Sequence, residues 1–597
     1  MIMKKRIYQI LIACALAGST SCDTEFLDKP PVDKFSDTAV WQDPALAKTF
    51  VNNIYLGIPI PWTALMLSST TDESMAVWDW ESSNVTKSQI TPSYMAIFDP
   101  SFWTSSLRDM TWNNSYKNIR ACNLFLEKID GVPFDDPKQK DALKGEVLFL
   151  RAYFYHQLVS LYGGVPLINK AYTLTDEFTA PRESYENSIK FIAEECDKAA
   201  ALLPASGDKA RATKGAALAL KSRALLYAAS DLFNSNASWA GNFTNKELVG
   251  YTGGNRQARW QAAKDAAKAV IDLGLYNLYG GENPGSADVA SKNYAGLFLN
   301  NGNSEDIMLQ FWDVAHDNAW DRGNPGLFNG PNGWHNWGGN TPIGQLADSY
   351  EMQDGTKFNW TNPLHKADPY VNRDPRFYAS ILYEGASWRI RPADVRGSEP
   401  RGLVQVGFYK RADGTTVPGY DTKKSPIEDW NGGSTGYYLR KFIDPNIDHQ
   451  YNKQQLPWRR FRYAEILLNY AEACLGLGQE TEARTYINKV RARVGMPPVT
   501  ESGTALLERY RNERRVELAY EEHRYYDVRR WMIAPQAYEN ATGVEVNGTM
   551  NADGTITNRT YAVIKAQDRA WNPRFYFLPI KIDEMNRNNK LIQNPLY

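Results

Sequence analysis

The chain has 597 residues, of which 43% are hydrophobic and 23% charged, a composition typical of globular proteins and not of disordered chains. This length favours one large composite fold or two to four domains. The formal net charge is −1, whereas nucleic-acid-binding proteins are usually strongly basic, so we expect no nucleic-acid partner. Aromatic residues make up 13% of the chain, which mildly favours a carbohydrate- or peptide-binding surface.

The N-terminal residues MIMKKRIYQILIACALAGSTSC combine a basic start, a short apolar run and small residues before a cysteine. The run is too short to cross a membrane, and the pattern predicts an export signal over residues 1–21. The cysteine predicts a lipoprotein that is acylated at Cys22, with an acidic, proline-containing tether over 22–33. Two alternatives stay open: acylation at Cys14, and a plain secretory leader.

Helical periodicity recurs in pairs along the first half of the predicted body, which spans 34–597. The N-terminal part, about 34–274, contains predicted helices at 112–129, 142–164, 184–204, 212–233 and 260–274. From about 275 to 457, Gly, Asn, Asp, Pro and Trp crowd together, and such long loop-rich regions are usually functional or inserted. Helices return over about 458–597, at 462–478, 480–495 and 506–531.

Helix pairs of roughly 34 residues with alanine at their tight crossings indicate tetratricopeptide-like units. The long middle segment interrupts them, so the predicted fold is mainly α and composite, not a regular solenoid. The cysteines Cys122, Cys196 and Cys474 lie in separate helical patterns and are typical of small buried hydrophobes. With no CxxC spacing and six histidines, the chain is not expected to hold zinc or another cofactor.

In the helix predicted at 506–531, three of the acids are candidate catalytic groups, and each has an arginine three residues away. The pairs are Glu517 with Arg514, Glu521 with Arg524, and Asp527 with Arg530. Nearby guanidinium groups keep carboxylates ionised, which is wrong for a glycosidase general acid. His523 has no accompanying nucleophile motif. We therefore interpret these charges as a structural network and expect no enzymatic activity.

Several motifs in a fixed order carry a family resemblance. They cover nearly the whole mature chain: SCDTEFLDKPP (21–31), LRAYFYHQLVSLYGGVPLI (150–168), TKGAALALKSRALLYAA (213–229), TPIGQLADSYEMQDG (341–355), RDPRFYASI (373–381), FRYAEILLNYAEA (461–473), INKVRARVGMP (487–497), NERRVELAYEEHRYYDVRRW (512–531) and YFLPIKIDEMNRNNKLIQNP (576–595). The chain resembles the SusD/RagB-type outer-membrane lipoproteins of the Bacteroidetes. It departs from the family pattern at His523, where glycine is common, and at Ser19, where the acylation motif usually has leucine.

The resemblance implies a composite SusD-like fold and a lipid-anchored protein on the outer membrane, facing the cell exterior. It also implies glycan capture, with the protein acting as the lid and delivery partner of a SusC-like TonB-dependent transporter. Some relatives bind peptides or glycoprotein glycans, so that alternative stays open. Three acids directly after Cys22 resemble the family's signal for export to the cell surface: Asp23, Glu25 and Asp28.

Two tryptophan-containing loop segments are the predicted ligand site. They are ESMAVWDWESSN (73–84) and AWDRGNPGLFNGPNGWHNW (319–337). Indoles stack on the apolar faces of sugar rings, while amides and charges bond the hydroxyls. We predict stacking by Trp78, Trp80, Trp320 and Trp334, and hydrogen bonding by Asp79, Arg322, Asn324 and Asn336. Packing in the interior is the competing interpretation, and we favour it for Trp337.

Overall fold

The computed structural model describes residues 40–597 except 63, 79–81, 100, 102–105, 174, 178 and 312–323. Its longer helices are α1 (Pro44–Tyr55), α2 (Trp112–Lys128), α3 (Pro137–Tyr162), α4 (Tyr185–Leu202), α5 (Lys214–Ala229), α6 (Arg256–Ile271), α7 (Ala287–Phe298), α8 (Tyr463–Gly476), α9 (Glu480–Ala492), α10 (Gly503–Glu517) and α11 (His523–Arg530). Further helices of four to six residues are Ser82–Thr86, Pro325–Asn329, Gly344–Ser349, Pro363–Ala367, Pro375–Ser380, Ala393–Arg396, Ala534–Ala537 and Ile582–Arg587. The protein is mainly α-helical, as predicted.

The helix boundaries follow local capping chemistry. The side chains of Asp136, Ser184 and Thr213 accept backbone N–H bonds at the starts of α3, α4 and α5. Helix α3 ends at Gly163, whose φ of 79° lies in the left-handed region that glycine tolerates. Because these signals are local, the sequence predicted the five helices from 112 to 274 to within a few residues.

Helices that follow one another in sequence pack against each other. Helix α2 contacts α3, α3 contacts α4, α4 contacts α5, and α5 contacts α6. After the middle segment the chain returns, and α8 packs on both α6 and α9. The C-terminal helices thus continue the stack that the N-terminal helices begin, which is the composite arrangement of tetratricopeptide-like pairs that the sequence predicted.

The prediction of a single helix over 506–531 is wrong, because the structure has two separate helices here, α10 and α11. Tyr520 and Glu522, between them, have φ values of 64° and 68°, which no helix interior accommodates. Tertiary hydrogen bonds hold this break: the Tyr520 N–H donates to a side-chain oxygen of Glu73 at 3.0 Å. Arg462 also donates to the backbone carbonyl of Glu517 at 2.8 Å.

Ten short strands lie among the described residues: β1 (Ser74–Ala76), β2 (Asp306–Gln310), β3 (Asn340–Pro342), β4 (Ile381–Leu382), β5 (Phe408–Lys410), β6 (Thr416–Pro418), β7 (Tyr438–Leu439), β8 (Trp458–Arg462), β9 (Ala541–Met550) and β10 (Ile556–Gln567). Antiparallel pairs form between β1 and β3, β2 and β8, and β4 and β7. The fourth sheet has the order β10-β9-β5-β6, with β5 parallel to β9. The hairpin β9–β10 was not predicted.

Among the described residues, two large apolar clusters and two smaller ones form the core. The first joins the N-terminal helices to α8, α11 and the C-terminal tail. It contains Cys122, Cys196 and Cys474, which are free and buried, and their burial confirms the prediction. The second is centred on the middle segment, around Tyr370, Phe377 and Tyr438, and it also includes residues of the β9–β10 hairpin, of 62–66 and of 494–520. Within the described residues no helix is both long and apolar enough to cross a membrane.

Candidate functional site

The structure brings the two predicted tryptophan segments together. Strand β1 pairs with β3, with Ala76 opposite Asn340, and the N–H of Val77 donates to the carbonyl of Gly339 at 2.8 Å. As a result Trp78 meets Trp337 edge-to-face, with ring centroids 5.7 Å apart. Both indoles are half-buried. A link between segments about 260 residues apart in sequence thus forms the base of the site.

The close contact between these two segments depends on Gly339 and Asn340. A Cβ at Gly339 would lie 2.6 Å from the carbonyl oxygen of Phe328 and 3.0 Å from the Trp78 ring, so a side chain there would separate the segments. The fully buried Asn340 accepts a hydrogen bond from the N–H of Met66 and donates to the carbonyl of Ala64, each at 3.0 Å. These bonds fix the loop against the N-terminal part of the chain.

The structure contradicts the prediction that Trp334 presents its indole to a ligand. Its side chain is only 1% exposed. The guanidinium of Arg391 covers the ring at 3.5 Å from its centroid, and the indole N–H donates to the carbonyl of Ile390 at 3.2 Å. Asp421 pairs with Arg391 at 2.6 Å and holds it in place. A cation–π contact of this kind occupies the face that a sugar would need.

The predictions for Asn324 and Asn336 are also wrong, because both side chains are buried. Asn324 is 5% exposed; its side chain accepts from the N–H of Leu327 and donates to the carbonyl of His449. It therefore caps the short helix Pro325–Asn329. Asn336 is 2% exposed and packs where Gly330 leaves room for its amide.

The remaining predicted site residues lie outside the described residues. They are Cys22, Asp79, Trp80, Trp320 and Arg322. Their roles stay predictions. Trp78, which precedes one of these gaps directly, is the only predicted stacking residue that the described part of the chain places at a partly open position.

A second loop adds an aromatic residue that sequence reasoning missed. Trp430 is 62% exposed. The next residue, Asn431, has its carbonyl oxygen 3.1 Å from the Cβ position of Gly338, which directly follows Trp337. The available signal was its context, EDWNGGSTG, which repeats the Gly- and Asn-rich surroundings used to select the other loop tryptophans.

Glu428 ties this loop to the Trp337 loop. Its backbone carbonyl accepts from the Asn332 amide at 2.8 Å, and its carboxylate accepts from Asn431 at 2.9 Å and lies 3.4 Å from His335 Nδ1. Asp394 lies on the other side of His335, 3.1 Å from Nε2. We call Trp78, Trp337, Trp430 and these polar residues the aromatic seam. It combines ring surface with carboxylates and an imidazole, which suits binding of a polyhydroxylated ligand.

The acids of the C-terminal helices form a buried ion-pair network, as predicted, although two of the three predicted partners are wrong. Asp527 pairs with Arg530 at 2.8 Å, as expected. Glu517 pairs instead with Arg376, Arg462 and Arg493, and Glu521 with Lys441 and Arg462. Burial by itself raises the pKa of Glu517, but the charges of Arg493, Arg462 and Arg376 outweigh it and lower that pKa. A carboxylate held ionised in this way does not serve as a general acid.

Comparisons with known proteins all indicate the same family and the same fold. The SusD family model matches residues 304–597, and a model described as starch-binding and associating with outer membrane matches residues 25–226. SusD-like protein P38 of Formosa agariphila is 24% identical over 575 residues, which cover 91% of this chain and 92% of that protein.

Solved structures show the same similarity. A crystal structure of a SusD-like protein from Bacteroides fragilis has 30% sequence identity and a TM-score of 0.75, and the match covers 95% of this chain and all of the other. A laminarin-binding SusD-like protein has 22% identity and a TM-score of 0.60, covering 93% of this chain and all of that one.

Proposed function

Since the chain belongs to the SusD-like family, we propose that it is a non-catalytic surface protein that captures oligosaccharides for a SusC-like TonB-dependent transporter. The aromatic seam is the observation that carries this proposal. It combines the partly exposed indoles of Trp78 and Trp337, which meet edge-to-face, with the exposed Trp430 on the loop that Glu428 ties to Asn332. The similar fold of a laminarin-binding protein and the starch-binding description of a matching family support a glycan as ligand.

Binding at such a seam is expected to be modest. A few stacked rings give about 5–8 kcal/mol, or roughly micromolar to submillimolar affinity. That range suits a protein that must release its ligand into a transporter. In the proposed cycle, the protein lies over the transporter as a lid, binds the glycan while open and delivers it on closing.

Native affinity electrophoresis tests the ligand class. Residues 23–597 are run through gels that each contain one polysaccharide, with laminarin and starch among them. Retardation in at least one gel, reversed by the free oligosaccharide, is the expected result. Free migration in every gel, together with binding of peptides, would overturn the glycan proposal in favour of a peptide- or glycoprotein-binding protein.

We further propose that acylation at Cys22 anchors the protein to the outer membrane, the location that a matching family description gives. Replacing Cys22 by alanine is expected to move the protein from the membrane fraction to the soluble fraction, because acyl chains stabilise membrane binding by about 0.8 kcal/mol per buried CH2. The matched control is Cys14→Ala, in the same leader. Release by Cys14→Ala and retention by Cys22→Ala would assign the anchor to the other cysteine.

A further inference from the structure

A second open cleft lies between the middle segment and the hairpin strand β10, and none of its lining residues belongs to the aromatic seam. Its walls are the stretch 367–371, the segment after β4, the stretch that contains Leu403 and Gln405, and β10. The cleft has a volume of about 610 Å³. This value is within the range of about 300–1,000 Å³ that small-molecule sites occupy. We call it the tyrosine cleft.

Three tyrosines form its aromatic wall. Tyr383 is half-buried and packs against Tyr370 with ring centroids 4.5 Å apart, while Tyr561 meets Tyr370 edge-to-face at 5.5 Å. Phe377 packs behind Tyr383 at 5.2 Å. The wall is therefore rigid and offers a preformed ring face. Burial raises the pKa of both Tyr383 and Tyr561 to about 12, so their hydroxyl groups stay protonated and can donate hydrogen bonds.

Two arginines line the cleft, and each is anchored by a fully buried carboxylate. Arg559 Nε donates to Glu384 at 2.9 Å, and Arg401 Nε donates to Glu399 at 3.4 Å. Their side chains remain 28% and 31% exposed. Each guanidinium has five N–H donors, so both retain donors beyond these bonds. Since each positive charge already has a partner, the cleft favours an uncharged, hydroxyl-bearing ligand over an anion.

Gln405 adds an unsatisfied buried amide to the wall of the cleft. Its backbone is bonded to Asp421, with the N–H donating to the carboxylate at 2.7 Å and the carbonyl accepting at 2.9 Å. Its side chain is only 3% exposed, yet its amide oxygen has no hydrogen-bond partner in the described part of the chain. Buried amides are almost always satisfied, so this amide marks a polar position on the cleft wall where a water molecule or a ligand hydroxyl group would complete the hydrogen bonding.

We propose that the tyrosine cleft is a second glycan-binding site, which holds a neutral oligosaccharide segment with a sugar ring against Tyr383 and hydroxyl groups bonded to Arg559 and to the amide group of Gln405. This inference rests on the proposed glycan-binding function. Two sites on one protein would retain a long chain by avidity, because release from one site leaves the chain bound at the other.

An oligosaccharide array tests this inference, with neutral and acidic glycans probed by four proteins: the unmodified mature chain, Trp430→Ala, Gln405→Leu, and the double variant. The seam variant Trp430→Ala is expected to retain weak binding to neutral glycans. The affinity of the double variant for these glycans is expected to be at least about tenfold lower than that of Trp430→Ala. Gln405→Leu removes an unpaired buried amide, so its melting temperature should not fall. The exposed Gln536→Leu is the matched control and should bind like the unmodified protein.

The outcomes separate this inference from the proposed function. If the unmodified protein binds neutral glycans and Gln405→Leu binds them equally well, the tyrosine cleft is not a glycan site, while the seam proposal stands. If Gln405→Leu reduces only the binding of acidic glycans, the assignment of a neutral ligand is overturned. If the unmodified protein binds no glycan, both proposals fail together.

Discussion

Trp334 and Trp430 occupy similar Gly- and Asn-rich contexts but have opposite environments, 1% and 62% exposed. Sequence reasoning selected Trp334 because it assumed that a loop tryptophan faces water. It could not see that Arg391, 57 residues later, would cover the ring. Local composition therefore identified the right kind of loop but not which indole remained accessible.

Because the two environments differ, replacement by alanine is expected to change the free energy of unfolding by different amounts at Trp334 and Trp430. Trp334→Ala leaves a cavity beneath Arg391 and should lower the free energy of unfolding by about 3–5 kcal/mol, as for other buried aromatic residues. Trp430→Ala is its matched control and should change that free energy by no more than about 0.5 kcal/mol. Urea unfolding of both variants measures this. Equal stability of the two variants would contradict the burial of Trp334.

Glu73, at the edge of β1, gives a prediction about pH. Burial and the nearby charge of Asp72 raise its pKa from 4.5 to about 8, against the opposing Tyr520 N–H bond. Between these values the unfolded chain loses the proton while the folded protein keeps it. The contribution of Glu73 to stability is therefore present at low pH and declines as the pH rises toward 8.

Glu73→Gln should remove this decline, because the neutral amide still accepts the Tyr520 hydrogen bond. Melting temperatures measured from about pH 5 to about pH 8 should fall less for the variant than for the unmodified protein. The exposed Glu508→Gln serves as control and should follow the unmodified curve. A variant curve parallel to the unmodified one would show that Glu73 is already ionised across this range.

At the scale of elements, the helices with local signals were predictable and the break between α10 and α11 was not. Amphipathic stripes, N-caps and a terminal glycine lie within a few residues of each other, so they can be read directly from the sequence. The break depends instead on Arg462 and Glu73, which are far away in the chain. Tertiary hydrogen bonds overrode a strong helical pattern here.

The ion-pair network around that break predicts a large effect from a small change. Glu517→Gln removes the negative charge that Arg376, Arg462 and Arg493 share, and breaking a buried pair costs about 3–5 kcal/mol. The matched control, Glu508→Gln, lies on the same helix and is exposed. Urea unfolding should separate the two variants clearly. A cost below about 0.5 kcal/mol for Glu517→Gln would show that the network does not stabilise the fold.

At the scale of the whole molecule, the chain leaves the helical stack for about 180 residues and then returns to it. Helix α8 packs on α6, so the middle segment is held from both ends by one continuous stack. The order of sequence motifs predicted this composite architecture. It did not predict the tyrosine cleft, because the cleft depends on contacts between distant segments. The hairpin β9–β10 is local, with only five residues between its strands, and its turn signal at Asn551–Gly554 was overlooked.

The same geometry explains why the glycan site could be predicted only in part. The sequence selected two segments, and the pairing of β1 with β3 does bring them together at Trp78 and Trp337. The third loop, with Trp430, is joined to them through Glu428 and Asn332. Local sequence patterns do not predict contacts between distant loops, so the complete aromatic seam could be identified only in the folded structure.

The most direct test of the central claim is the affinity of Trp430→Ala for the polysaccharide that retards the unmodified protein. Loss of one exposed stacking residue is expected to weaken binding about tenfold, or about 1.4 kcal/mol, with an unchanged melting temperature. The control Val289→Ala, at an exposed apolar position on α7, should bind normally. Normal binding by Trp430→Ala, and also by Trp78→Ala and Trp337→Ala, would contradict the assignment of the aromatic seam as the glycan site.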